Sequence, residues 1–120
     1  MTHTSEPLSA ALSELCGRTL SSVEFVHDYV QLHFDGSTIT AFTLPIISRS
    51  GETVSWGEDG YRDALCEEIG CSIEVAGFEH DDVSLTFQDG TVISISVRDK
   101  DYHGPEALQL SLDEQRIWVV

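Results

Sequence analysis

Residues 17–34, GRTLSSVEFVHDYVQLHF, return in altered form at residues 70–87, GCSIEVAGFEHDDVSLTF. Laid over one another, the two stretches pair Gly17 with Gly70, Phe25 with Phe78, His27-Asp28 with His80-Asp81, Val30 with Val83, Leu32 with Leu85 and Phe34 with Phe87, seven identities in eighteen positions. Asp35-Gly36 and Asp89-Gly90 match after one inserted residue, and upstream Leu8, Ala11 and Leu12 fall on Tyr61, Ala64 and Leu65. The pattern implies a duplicated supersecondary unit, and self-similarity of this kind fixes architecture before any activity is considered.

Each copy reads as a helix followed by three strands. Leu8, Ala11, Leu12 and Leu15 recur at helical spacing, with Ser5 as the candidate N-cap, Pro7 in the first turn and Gly17 past the end. From Thr19 to Leu44 the period becomes two. Val23 and Phe25 pair with Leu32 and Val30 if His27-Asp28 is a tight turn, and Val30, Leu32 and Phe34 share a face with Ile39 and Ala41 if Asp35-Gly36 is another. In the second copy Gln88 lengthens the matching turn, and on a two-residue turn it would flip Ile93, Ile95 and Val97 off the face of Val83, Leu85 and Phe87. A three-residue Gln88-Asp89-Gly90 loop with Gly90 left-handed restores the register. Gly77 reads as a bulge, because Ile73 and Val75 do not continue in phase to Phe78.

The whole pattern predicts an α+β protein with one domain over residues 1–120. A first αβββ unit spans about 5–44, a Ser- and Gly-rich connecting loop 45–58, a second αβββ unit about 59–98, and a C-terminal β-hairpin 105–120, in which Leu108, Leu110 and Leu112 alternate before a turn at Asp113-Glu114. Two short helices are expected to cover antiparallel sheet.

A chain of 120 residues can build one core without disulfides or metal. Cys16, Cys66 and Cys71 have no C-x-x-C spacing and an odd count, so they read as reduced thiols. No apolar run reaches the ~18 residues that span a bilayer, and the N-terminus has no secretory-signal pattern, so the expected location is the cytoplasm and no membrane partner is expected. Twenty-one acids against six bases give a formal charge of −15. Residues 52–106 hold fourteen acids against Arg62, Arg98 and Lys100, while residues 1–51 net only −3. Such a field repels itself and steers basic partners. With no basic stripe to neutralise phosphates, direct nucleic-acid binding is disfavoured.

Enzymatic motifs are absent: there is no G-x-S-x-G elbow, phosphate-binding Gly-rich loop, H-E-x-x-H or dinucleotide fingerprint. The repeated His-Asp pairs fall at hairpin turns, where Asp is favoured for local reasons. His33 lies on the solvent side of its strand, and His103, with Asp99 and Asp101, has no metal-ligand spacing. No catalytic residue, metal or cofactor is expected.

The second helix is more informative. Tyr61, Leu65 and Ile69 form an apolar stripe, and Asp59, Asp63 and Glu67 line the opposite side at i, i+4 and i+8. Like charges at that spacing oppose the helix, so the face is either simply solvated or a negative surface for a basic partner. With the connecting-loop Trp56 and the second His-Asp turn, the candidate partner-binding residues are Trp56, Glu58, Asp59, Asp63, Glu67, Glu79, Asp81 and Asp82.

One resemblance adds to this. Gly104-Pro105-Glu106-Ala107-Leu108, following a hairpin with Phe87-Gln88-Asp89-Gly90 and closed by Ile117-Trp118-Val119-Val120, resembles small bacterial domains of the kind found among the immunity proteins of polymorphic toxins. It covers residues 70–120, implies a bacterial protein whose work is binding, and brings no catalytic residues with it. Three readings follow: an inhibitor that blocks a basic partner such as a nuclease toxin or nucleic-acid-binding protein; a small-ligand-binding or catalytic domain with a pocket between the repeats or beneath the Trp56 loop; and an interaction domain whose charge reflects adaptation to high salt.

Overall fold

In the computed structural model, which describes residues 7–120, the chain is α+β with two five-stranded antiparallel sheets and two short helices. Ser5 lies outside the described residues. Helix α1 (Leu8–Ser13) starts after the extended Pro7 and buries Ala11 and Leu12. Strands β1 (Ser22–Val26), β2 (Tyr29–Phe34) and β3 (Ser37–Ala41) follow. Their register is the one the alternation requires: Phe25 opposite Val30, Val23 opposite Leu32, Leu32 opposite Ile39 and Val30 opposite Ala41. The second copy gives α2 (Tyr61–Cys66), β6 (Ile73–Glu79), β7 (Asp82–Phe87) and β8 (Val92–Ser96). Gly90 is left-handed (φ 90°), the Phe87 N–H bonds Thr91 O at 2.8 Å, and Leu85 faces Ile93, so the inserted residue is absorbed in the turn and the core face is kept.

Residues 45–58, expected as a loop, contain a hairpin: β4 (Ile46–Arg49) and β5 (Glu52–Val54). Its Ser and Gly are turn residues, Ser50 and Gly51 both having positive φ (53° and 82°), and each strand is too short to display a period. A 3-10 turn (Asp99–Asp101) then leads to β9 (Leu108–Ser111) and β10 (Ile117–Val119), the C-terminal hairpin. The bulge is also displaced. The register shifts between Ile73 and Val75, while Gly77 pairs regularly with Ser84. Ile73 and Ala76 are both buried, and two residues three apart cannot share a face of a regular strand, so the irregularity at Glu74 brings Ala76 inward and leaves Val75 55% exposed.

The sheet order reveals that the duplication covers more than its sequence signal. One sheet runs β1-β2-β3-β9-β10 and the other β5-β4-β8-β7-β6. Each unit is thus a helix, three strands and a hairpin, and each hairpin is added to the sheet of the other unit, β4 against β8 and β9 against β3. The helices cross over too: α1 packs on β6, and α2 touches β1. At the junction the backbone bonds are reciprocal. Gly17 N–H donates to Ile73 O and Gly70 N–H to Leu20 O, both 2.8 Å; Ile73 N–H donates to Arg18 O at 2.9 Å and Leu20 N–H to Cys71 O at 3.0 Å. Thr19 and Ser72, bridged in the backbone and 3.0 Å apart through their hydroxyls, lie at the centre of this pattern. A contact in which i meets j and j's equivalent meets i's equivalent has the form of a two-fold interface, here within one chain. The inner faces of both sheets and the apolar sides of both helices form one buried cluster.

Gly17 and Gly70 end the two helices with φ of 83° and 96°. An L side chain in that region costs about 1 kcal/mol or more. Gly17→Ala and Gly70→Ala should therefore each lower stability by about that amount in urea melts, whereas Gly77→Ala, where φ is not left-handed and a Cβ meets nothing within 4 Å, should cost clearly less. Equal effects at all three would remove the left-handed requirement.

Candidate functional site

Trp56 follows the β4–β5 hairpin and leaves its indole 47% exposed. The loop that carries it is fixed from both sides. Gly57 and Gly60 take positive φ (91° and 82°), and the Glu58 carboxylate accepts the Ser55 N–H at 2.6 Å, closing the turn into α2. Tyr61, first residue of α2, is buried; its hydroxyl donates to Pro45 O at 2.6 Å, and its ring meets Trp56 edge-on with centroids 5.6 Å apart. Burial pushes the Tyr61 phenol well above its ordinary pKa, so it stays a neutral donor. Arg62 places its guanidinium carbon 5.6 Å from the Phe25 ring centroid and 5.7 Å from that of Trp56, within cation–π range. The indole is thereby held between an aromatic edge and a cation.

Around this anchor the sequence-predicted residues divide. Trp56, Glu58, Asp59 and Asp63 line one open depression of about 370 Å³. Among the described residues the carboxylates of Asp59 and Asp63 have no ion-pair or hydrogen-bond partner. Glu67 lies on a neighbouring groove with Asp63, but its charge is shared with Arg49. Asp82 lines a larger groove, about 550 Å³, on the other side of Trp56, together with Ile46, Ser94, Arg98 and His103. Arg98 clamps Asp82 through two nitrogens at 2.8 and 3.2 Å and donates to His80 O at 2.8 Å, tying down the β6–β7 turn. Glu79 and Asp81 are exposed at that turn, where His80 and Asp81 are both left-handed (φ 52° and 63°). The structure thus gathers Trp56, Glu58, Asp59 and Asp63, pairs Asp82 with Arg98 and Glu67 with an Arg49 that Glu68 shares, and sets Glu79 and Asp81 on a separate hairpin tip.

Sequence reasoning missed Arg62, whose role depends on the distant Phe25, and it misplaced the end of the α2 stripe. Ile69 is 43% exposed and Glu68 is fully buried. Glu68, three residues after Leu65 and seven after Tyr61, falls on the same helical face as both. Beyond Cys66 the bonds Glu68 N–H to Leu65 O and Ile69 N–H to Cys66 O span three residues, a tighter turn that carries Ile69 outward. Glu68 Oε2 pairs with Arg49, its Oε1 has no partner, and the Asp89 carboxylate and Cys71 thiol lie beside it. Burial raises the Glu68 pKa against the opposing pull of Arg49. Asp89 also feels burial, yet the N–H and hydroxyl of Thr91 hold it below the ordinary carboxylate value.

No family model, curated protein or solved structure matches this chain. Among the described residues no helix is long and apolar enough to cross a membrane.

Proposed function

We propose that this chain is a non-enzymatic acidic binding protein, an inhibitor or immunity-type protein of the bacterial cytoplasm that blocks a basic partner such as a nuclease toxin or nucleic-acid-binding protein. The observation that carries this reading is the exposed Trp56, held by Tyr61 and Arg62, beside the unpaired carboxylates of Asp59 and Asp63. A rigid aromatic anchor supplies binding energy at low entropic cost, and the surrounding carboxylates, three against the single Arg62, steer the encounter. Five of the six basic side chains are engaged, Arg49, Arg98 and Arg116 in ion pairs, Arg62 over aromatic rings and Arg18 on the Ser37 hydroxyl, and only Lys100, exposed on the groove beside Trp56, is left over. That leaves little free positive charge for phosphates and supports a protein partner over nucleic acid. The mixed-charge groove of about 550 Å³ beside Trp56 favours a second reading, a small polar ligand.

The test is association kinetics with a purified basic partner recovered by crosslinking in the native host. For an electrostatically steered inhibitor the on-rate should fall by about tenfold or more between low and physiological salt, with the off-rate nearly unchanged. A salt-independent on-rate would remove the acidic surface from the mechanism, and saturable binding of a small metabolite in the groove would favour the second reading.

A further inference from the structure

The duplication contains its own control. Where the first unit buries Leu15, the second buries Glu68, also with no exposed surface, so the fold itself does not require a carboxylate there. Taking a carboxylate out of water costs several kcal/mol unless it is paired and hydrogen-bonded. Arg49 satisfies one oxygen of Glu68; the other is buried and, with the carboxylate ionised, has no hydrogen-bond partner among the described residues. The group that Glu68 faces across the remaining gap is another acid, Asp89, with the Cys71 thiol as third neighbour. Two acceptors and a thiol around one gap lack a positive centre.

We propose that Glu68, Cys71 and Asp89 form a binding site for one zinc-like divalent cation, with Arg49 as the outer residue that orients Glu68. One ligand atom from each of the three lies within 4.8 Å of the other two, and Cys71 Sγ is 3.8 Å from Asp89 Oδ2. Zinc bonds of about 2.3 Å to sulfur and about 2.0–2.2 Å to oxygen give tetrahedral ligand edges of about 3.5 Å, so small side-chain shifts close the site. With the thiol ionised, three anions face one guanidinium that Glu67 also shares, an excess of negative charge for a divalent ion to balance. A thiolate among the donors selects zinc or cadmium over calcium or magnesium, which take oxygen ligands alone.

The fold prepares each ligand. Glu68 continues the buried helical face of Tyr61 and Leu65, the Cys71 N–H bonds Glu68 O at 2.9 Å to set the thiol beside it, and Asp89 is fixed by accepting the Thr91 N–H at 2.9 Å. Arg49 Nε meanwhile donates to Thr91 Oγ1 at 3.0 Å, so one guanidinium spans the turn and the loop. Asp89 is exposed and Cys71 half-buried, which leaves an entry path and room for a water as fourth ligand. The ligands come from a turn and a distant hairpin loop, and such spacing has no sequence signature, which is why none was expected.

The experiment uses the full chain in a Cys16→Ser, Cys66→Ser background, so that Cys71 is the sole thiol. Cadmium titration should give a thiolate-to-metal ultraviolet band that saturates at one equivalent, and zinc should displace it with a Kd on the order of micromolar or tighter. Cys71→Ser should abolish the band, and Asp89→Asn, an exposed site where folding is not at stake, should weaken zinc by about tenfold or more. Absence of the band at saturating cadmium, or zinc affinity unchanged by Asp89→Asn, would overturn the site; a proton shared between Glu68 and Asp89 would then fill the gap. None of these readouts involves the acidic partner surface.

Discussion

Phe34→Ala and Phe87→Ala should each destabilise the protein by about 3–5 kcal/mol, and by similar amounts. Both rings are fully buried, each ends the middle strand of its unit, and each precedes an Asp-Gly turn. Removing either leaves a cavity at an equivalent place in the one shared core, which is why equal rather than merely large costs are expected. Total stability of a domain this size is about 5–15 kcal/mol, so the double variant should fail to fold. Urea melts of the two single variants decide it. A cost below about 1 kcal/mol for one with the full cost for the other would mean that the units do not contribute equivalently.

The features legible in the sequence were those set by local chemistry. Asp35-Gly36 and Gln88-Asp89-Gly90 determine both register and turn length, so the β2–β3 and β7–β8 pairings could be written residue by residue. The strands β4 and β5 were not legible, since four and three residues carry no period and Ser50-Gly51 looks the same in a loop as in a hairpin. Nor was the exchange of hairpins between units, because partner choice between sheets is decided by tertiary packing. At the candidate site, Trp56, Glu58, Asp59 and Asp63 are near one another in the chain, so their meeting follows from local geometry. The neutralisation of Glu67 by Arg49 and of Asp82 by Arg98 joins separate elements, whereas the burial of Glu68 was legible, since it stands seven residues after Tyr61 and at the place of the buried Leu15 in the first unit.

Trp56→Ala should weaken partner binding by at least about 2 kcal/mol, roughly thirtyfold, as expected for a central aromatic anchor. Its exposed indole should make the same change nearly silent in folding, apart from the lost edge contact with Tyr61. Asp59→Lys with Asp63→Lys should have a further effect of well over about tenfold, because each reversal replaces attraction by repulsion against a basic surface. Folding should not suffer, since both carboxylates are exposed.

The decisive measurement compares Asp63→Lys with Glu114→Lys in affinity for the purified partner at physiological salt, with thermal melts alongside. Both change the net charge equally, but Glu114 lies exposed at the β9–β10 turn of the other sheet. A specific acidic surface at Trp56 and α2 predicts a loss of about tenfold or more for Asp63→Lys and little for Glu114→Lys, with both proteins melting near wild type. Equal, small losses would contradict it and assign the charge to solubility or salt adaptation.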